Sequence, residues 1–433
     1  MRLSLLRAVL AVNSGTAVCA VLGIAQTILI SRGLGPEGVG QYALAVSVLS
    51  LGATICAFGI PVSFLYHARK EPDQRNAHFT NAFWILAVIG IGSGVVAALM
   101  MTRCSAYFGA YGAWASCAIA LYMPLALERL LFRNFLLTDL SCGWLATIEI
   151  GAATGALLLI GAAWGLSFLT VDLALGAFVL ATAIRTGLGL LFIRNYIRFS
   201  NPPTIHNMKR LAVMGRRQLW PDLVLMLNEQ IGILLLKHLS EDFGEVGYFS
   251  RAASVAQLLT LASQAVMPVL FSRWAGLRPE DVRSHAEKVL RFATTFSLLL
   301  SVMIMLGAEW IVILLYGKGF LPAVVPMRIL SAGTACALIS RTLLQLLGGR
   351  GIPEKGSYVM VIGTLITALA SIVLIPAWGM MGCAVANAGG QLLILALLVC
   401  LGIRTYQLSL KDCTIIKRRD LFLLLNGRVR MGN

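Results

Sequence analysis

Apolar residues fall in long unbroken blocks along this chain, separated by short polar or basic stretches. Twelve blocks of about 18–28 residues can be drawn: 8–30, 39–66, 79–101, 107–131, 141–164, 170–193, 214–236, 246–271, 289–315, 321–347, 356–376 and 379–403. Each is long enough to cross a hydrocarbon core of roughly 30 Å as a helix. In lipid every backbone N–H and C=O must be satisfied within its own segment, which makes helices the expected element. The blocks do not alternate in the way a membrane barrel strand of about ten residues does. The pattern therefore predicts an all-α integral membrane protein of about twelve transmembrane helices.

Composition sharpens this reading. Of 433 residues 58% are hydrophobic and only 12% charged, with a mean hydropathy of +0.83. A soluble domain carries about a quarter charged residues. Arg2 and Arg7 precede an apolar run that continues past Cys19 to Ile30. That run is too long for a signal-peptide core, so it is read as a retained first helix. The nine cysteines show no C-x-x-C spacing and sit mostly in apolar blocks. They are expected to be small buried hydrophobes, with no disulfide framework, metal site or cofactor implied.

The net charge of +16 is distributed unevenly. With the N-terminus placed in the cytoplasm, nearly all basic residues fall in one set of loops. Examples are Arg69, Lys70 and Arg75 after the second block, and Arg194 to Arg217 after the sixth. Arg273 to Arg291 follow the eighth, and Lys411 to Arg430 lie in the tail. The opposite loops hold only Arg32, Arg103, Lys237 and Lys318. This positive-inside asymmetry predicts an even helix count with both termini cytoplasmic. It explains the basic excess as a topology device that meets anionic lipid headgroups, not as a nucleic-acid surface.

The second and eighth blocks align without a gap at an offset of 207 residues. Val39-Gly40 matches Val246-Gly247, Ala45, Ser47 and Val48 match Ala252, Ser254 and Val255, and Pro61-Val62 matches Pro268-Val269. Six helices separate the copies, so both have the same orientation, and two six-helix bundles form a parallel repeat. The expected organisation is a bundle over 1–194, a basic cytoplasmic linker over 195–213, a second bundle over 214–404 and a basic cytoplasmic tail over 405–433. Pro61, Pro124, Pro268 and Pro326 are expected inside helices, each removing a backbone hydrogen bond. Such bends serve either a rocking motion or fixed packing.

Charges at membrane depth cost roughly 2.5–3.5 kcal/mol on insertion scales and normally face a cavity or a partner. The cations are Arg185, Arg251, Arg328 and Arg341; the acids are Glu149, Asp222, Glu229 and Glu309. Ser250, Ser254, Gln257 and Gln264 form a polar stripe on the eighth helix, and Thr334, Arg341 and Gln345 one on the tenth. Together they predict a hydrated, hydrogen-bonding cavity between the bundles. Alternatives stay open: Arg251 and Arg328 lie close enough to a boundary to snorkel. Arg185 is placed to pair with Glu149, and Glu229 suits an ion pair as well as a proton or sodium site.

The segment Ser31-Arg-Gly-Leu-Gly-Pro-Glu-Gly-Val-Gly-Gln-Tyr-Ala-Leu44 resembles the start of bacterial polysaccharide flippases of the O-antigen and teichoic-acid type. Val246-Gly-Tyr-Phe249, Leu315-Tyr-Gly-Lys-Gly-Phe320 and Pro376-Ala-Trp-Gly-Met-Met-Gly-Cys-Ala384 extend the likeness over nearly the whole chain. The resemblance implies the fold of the multidrug/oligosaccharidyl-lipid/polysaccharide exporters (MATE-like). It also implies transport of a polyprenyl-diphosphate-linked glycan across a bacterial inner membrane, coupled to proton or sodium flow. Guanidinium forks suit phosphate oxygens. Arg341, Arg251, Arg328 and Arg185, with Gln257, Gln264 and Gln345, are thus the candidates for the substrate headgroup and glycan. Glu229, Asp222 and Glu149 are the candidates for ion coupling. Expected partners are membrane lipids and the polymerase and glycosyltransferases of the same pathway. The nearest rival is a drug exporter of the same fold, for which carboxylates should outnumber deep arginines. An integral-membrane polymerase or glycosyltransferase finds little support, since no Asp-x-Asp pair occurs and His67, His78, His206 and His285 fall in predicted cytoplasmic loops.

Overall fold

The structure, a computed structural model, describes residues 2–138, 142–194 and 203–414. Side chains at 2–14, 142, 261–266, 268, 269, 271, 272, 275, 279 and 410 fall outside that description. So do the first part of the expected linker, the end of the expected tail, the side chain of Gln264, and those of Pro268 and Val269 in the repeat.

The described residues hold helices and no strand. They are α1 (Arg2–Ala57), α2 (Ile60–Lys70), α3 (Arg75–Arg103), α4 (Ser105–Phe108), α5 (Ala113–Thr138), α6 (Cys142–Gly165) and α7 (Val171–Ile193). There follow α8 (Ile205–Ser240), α9 (Phe243–Gly276), α10 (Pro279–Leu315), α11 (Val324–Gly349), α12 (Pro353–Tyr406) and α13 (Leu410–Thr414).

Nine segments among the described residues are long and apolar enough to cross a membrane, and two of these are double. Helix α1 breaks at Gly35, whose φ of 68° lies where a side chain is strained, and Pro36 follows it. Before the break α1 runs with α6: Gly15 meets Ala146, Gln26 Nε2 donates to the Ala153 carbonyl at 2.7 Å, and Gly33 meets Trp164 and Leu169. After it α1 runs with α7, Gly38 beside Val171 and Ala57 in one cluster with Ile193. Since α6 and α7 are antiparallel, with Gly155 at Ile184 and Gly151 at Leu188, the chain reverses at Gly35. Helix α12 turns back likewise at Gly379 (φ 54°), which sets Gly363 opposite Ile394 and Gly390 opposite Thr367. Counting each pair twice and adding α9 accounts for the twelve blocks. The Gly-Pro-Glu-Gly and Pro-Ala-Trp-Gly motifs are therefore hairpin turns between spans.

By packing, the chain divides into two compact units: Met1–Ser250 with Leu315–Phe320, and Arg251–Leu314 with Leu321–Asn433. In the first, Phe64, Phe79, Phe132 and Phe135 build one core at the α2–α3 corner, while Leu44, Met101, Tyr122 and Leu175 build another. Gly40 of α1 and Gly247 of α9 meet within this unit. A Cβ on Gly40 would strike the Phe243 carbonyl oxygen and lie 3.0 Å from the Gly247 nitrogen. One on Gly247 would strike the Pro36 carbonyl oxygen and lie 3.2 Å from the Gly40 nitrogen. Backbones this close need residues without side chains, as membrane helix crossings commonly do.

In the second unit Trp274, Leu290, Leu343, Leu346, Ile394 and Leu398 form the core. The described start of the tail packs on it. The Ser409 N–H donates to Glu287 Oε1 at 3.0 Å, Arg291 Nε donates to the Asp412 carbonyl at 2.7 Å, and Leu408 is buried.

The prolines correct one expectation. Pro124 does stand inside α5. Pro61 instead opens α2 after a left-handed Phe58–Gly59 step, and Pro326 lies in the first turn of α11. First-turn prolines cost no helical hydrogen bond, because those N–H groups have no partner anyway. The second block is thus two helices, not one bent helix.

Candidate functional site

Three helices of the first unit place an ionic triad in the stretch predicted to lie in the membrane. Thr170 starts α7 by accepting the Leu173 N–H on its Oγ1 at 3.3 Å, and α7 then packs against both α5 and α6. Thr186 Oγ1 donates to the Leu125 carbonyl of α5 at 2.9 Å, and Gly189 seats against the Phe132 ring, which fixes the register of the two helices. One turn away Arg185 Nε donates to Glu149 Oε2 of α6 at 2.6 Å, and Arg129 Nη2 of α5 donates to Glu149 Oε1 at 3.2 Å. The side chains keep 18%, 26% and 31% exposure at Arg185, Glu149 and Arg129. One carboxylate facing two guanidinium groups leaves the triad one positive charge in excess, so it can attract an anion. Arg129 was not among the deep cations expected from the sequence, since it stands at the end of the fourth block; α5 runs on to Thr138 and keeps it among the helices.

Glu128, the residue before Arg129, was missed by the sequence reading. It is 7% exposed, and neither carboxylate oxygen has a hydrogen-bond partner. Its signal was the Glu-Arg pair at the end of an apolar block, which looks like a membrane boundary until the helix is seen to continue.

The other expected residues are distributed over α8 to α11. Asp222 accepts from Gln218 Nε2 at 3.1 Å, and Glu229 is exposed one face-repeat further on. Arg251 is buried, at 4% exposure, and Gln257 is exposed. Arg328 is exposed and donates from Nε to the Met305 carbonyl at 3.1 Å. Arg341 and Gln345 are half-buried one turn apart on α11. Glu309 is exposed. Lys237, expected in a loop on the face with few basic residues, caps α8: its ammonium donates to the Glu241 carbonyl and sits 3.8 Å above the Phe243 ring.

A second cluster lies at the α2–α3 corner. His67 and His78, expected in a solvated loop, are 8% and 0% exposed. Glu71 sits between them, with Oε2 at 3.1 Å from His78 Nε2 and Oε1 at 2.6 Å from Arg210 Nη2 of α8. One donor atom from each of His67, Glu71 and His78 lies within 4.8 Å of the others. Spacing alone gave little signal, because His67 and His78 are separated by a helix end and a turn.

Comparison with known proteins decides the family. The polysaccharide biosynthesis protein family matches residues 29–325. The chain belongs to that family. No curated protein matches it by sequence. Among solved structures, the lipid II flippase MurJ in an inward closed conformation superposes with a TM-score of 0.80 at 14% identity. That match covers 98% of this chain and 93% of MurJ. An inward-facing multidrug resistance MATE family transporter of the MOP superfamily gives 0.72 at 15% identity, over 92% of this chain and 98% of that one. A MOP superfamily transporter from Pyrococcus furiosus, titled as having a binding pocket of reverse polarity, gives 0.68 at 14% identity over 93% and 95%. At these identities the likeness carries the fold: this polysaccharide biosynthesis protein has the all-α MOP-superfamily fold, as its repeat and motifs implied.

Proposed function

We propose that this chain is a flippase that moves a polyprenyl-diphosphate-linked oligosaccharide from the cytoplasmic to the outer leaflet of a bacterial inner membrane. The observation that carries the reading is membership of a polysaccharide biosynthesis family by a chain with a transporter's fold. A glycan pathway needs a membrane step of this kind wherever its building unit is made on one side and assembled on the other. Access alternates between the two faces, coupled to an ion, and both termini are cytoplasmic.

The cargo's diphosphate is met by arginines, with Arg341 and Arg251 the leading ligands and Arg328 in support. Gln257, Gln264 and Gln345 take sugar hydroxyls. Arg185 gives its Nε to Glu149 and keeps its Nη groups for the cargo, so its part depends on the state of the triad. Glu229, Asp222 and Glu149 carry the ion. The apolar groove lined by Ala25, Ile28, Leu29, Leu157, Leu158 and Gly161 suits a hydrocarbon chain. A glycan polymerase and glycosyltransferases act after and before it in the pathway.

Deletion of the gene in its native host tests this. The expected result is loss of surface glycan with complete lipid-linked units stranded on the cytoplasmic side, restored by a plasmid copy. Normal surface glycan with altered drug sensitivity would replace the proposal with a drug exporter. Truncated lipid-linked units would replace it with an enzyme.

A further inference from the structure

The α2–α3 corner carries chemistry that transport of a glycan does not use. His67 stands in the last turn of α2, and Glu71 caps that helix, its N–H donating to the His67 carbonyl at 2.8 Å. The short turn Pro72–Gln74 then leads into α3, which presents His78 in its first turn. The resulting His-x3-Glu-x6-His arrangement folds onto itself, with the two imidazole centroids 5.3 Å apart.

Two buried ring nitrogens here have no hydrogen-bond partner: Nδ1 of His67 and Nδ1 of His78. Leaving a buried polar atom unpaired is costly, so two at one corner ask for a ligand. The three side chains also bring two imidazoles and one carboxylate within reach of one another.

We propose that His67, Glu71 and His78 form a binding site for a borderline divalent transition-metal ion of the zinc class. Two imidazoles and one carboxylate are a donor set such ions favour, with a fourth position left open. With metal–ligand bonds of about 2.0–2.1 Å, tetrahedral donors stand about 3.4 Å apart. Binding therefore requires side-chain rotation that draws the donors in from their spread of up to 4.8 Å. Arg210 holds Glu71 by Nη2 on Oε1 at 2.6 Å and Nη1 on Oε2 at 3.3 Å, and Oε2 also faces His78 Nε2 at 3.1 Å. Partners of this outer kind orient a ligand and tune its affinity. The same guanidinium and Lys70 repel the ion, and the one carboxylate offsets only part of its charge. Occupancy would lock the α2–α3 corner and, through Arg210, the first turns of α8.

The test is cobalt(II) titration of the full-length, chelator-stripped protein in detergent, read by visible d–d absorption, with zinc(II) as competitor and melting temperature as a second readout. We expect one saturable equivalent, displaced by zinc(II), with a rise in melting temperature. His67→Gln abolishes the bands in a monodisperse protein. Arg210→Ala keeps them but weakens binding by about tenfold or more. His67 is the variant of choice, since the fully buried His78 risks loss of the fold when changed. Absence of saturable bands in folded protein overturns the site. So do bands dominated by thiolate charge transfer, or bands unchanged in His67→Gln, which would place the ion elsewhere.

Discussion

Gly40 and Gly247 pack against each other at a symmetric crossing, each facing a carbonyl oxygen of the other's helix. Gly40 meets Phe243 and Gly247 meets Pro36. Pro36 and Phe243 stand 207 residues apart, the same offset that relates the two glycines and aligns the two repeat copies. The repeat read from the sequence is therefore written into this contact as a local two-fold axis.

Adding a methyl group at either glycine forces the helices apart. Gly40→Ala or Gly247→Ala is expected to lower stability by about 1–3 kcal/mol, the usual cost of overpacking. Gly92→Ala is the control: nothing lies within 4 Å of a Cβ there, and alanine favours the helix. Melting temperature of the solubilised protein should fall in the first two variants and hold or rise in the third.

Glu149→Gln removes the one carboxylate between Arg129 and Arg185. Breaking a fully buried pair from one side costs about 3–5 kcal/mol. The partial exposure of all three groups brings the expected loss to about 2 kcal/mol. Glu149→Asp, which keeps the charge, should recover part of it. Equal melting temperatures for Glu149→Gln and wild type would mean the triad contributes nothing to the fold.

Glu128 is buried with both oxygens unpartnered, which burdens the folded state. Glu128→Leu should raise stability by about 1 kcal/mol or more, measured by thermal or denaturant unfolding in detergent. A gain in stability accompanied by loss of glycan export would assign the carboxyl to transport. A loss of stability would mean that the carboxyl is held by a partner.

Arg341→Ala and Arg251→Ala should cut surface glycan severalfold at equal protein abundance, with Arg341→Lys intermediate because it keeps the charge but not the fork. Arg328→Ala should cost less, since its Nε already serves the Met305 carbonyl. Wild-type glycan in both Arg341→Ala and Arg251→Ala would remove these two residues from the headgroup site.

The helices were legible because membrane spans are set by length and hydropathy, and the blocks met both. The hairpin turns at Gly35 and Gly379 were visible as glycine-proline motifs, though their geometry was not. The Arg185–Glu149 pair was readable as two opposite charges at similar depth on neighbouring blocks. Arg129 and Glu128 were not, because they fall in the last turn of an apolar block and read as its boundary, while the helix runs on. The His67–Glu71–His78 corner escaped for a different reason. Its outer partner depends on α8 folding back over α2, and nothing local in residues 67–78 records that Arg210 will arrive there.

That arrival sets an order on synthesis. Glu71 and Arg210 are 139 residues apart in the chain. At about 5–20 residues per second the ribosome needs roughly 7–28 s to make the stretch between them. During that interval α2 and α3 are already made while their corner lacks its guanidinium. Newborn chains should thus pass through a period in which the Glu71 turn is open to proteases and quality control, and it closes only when α8 is laid down.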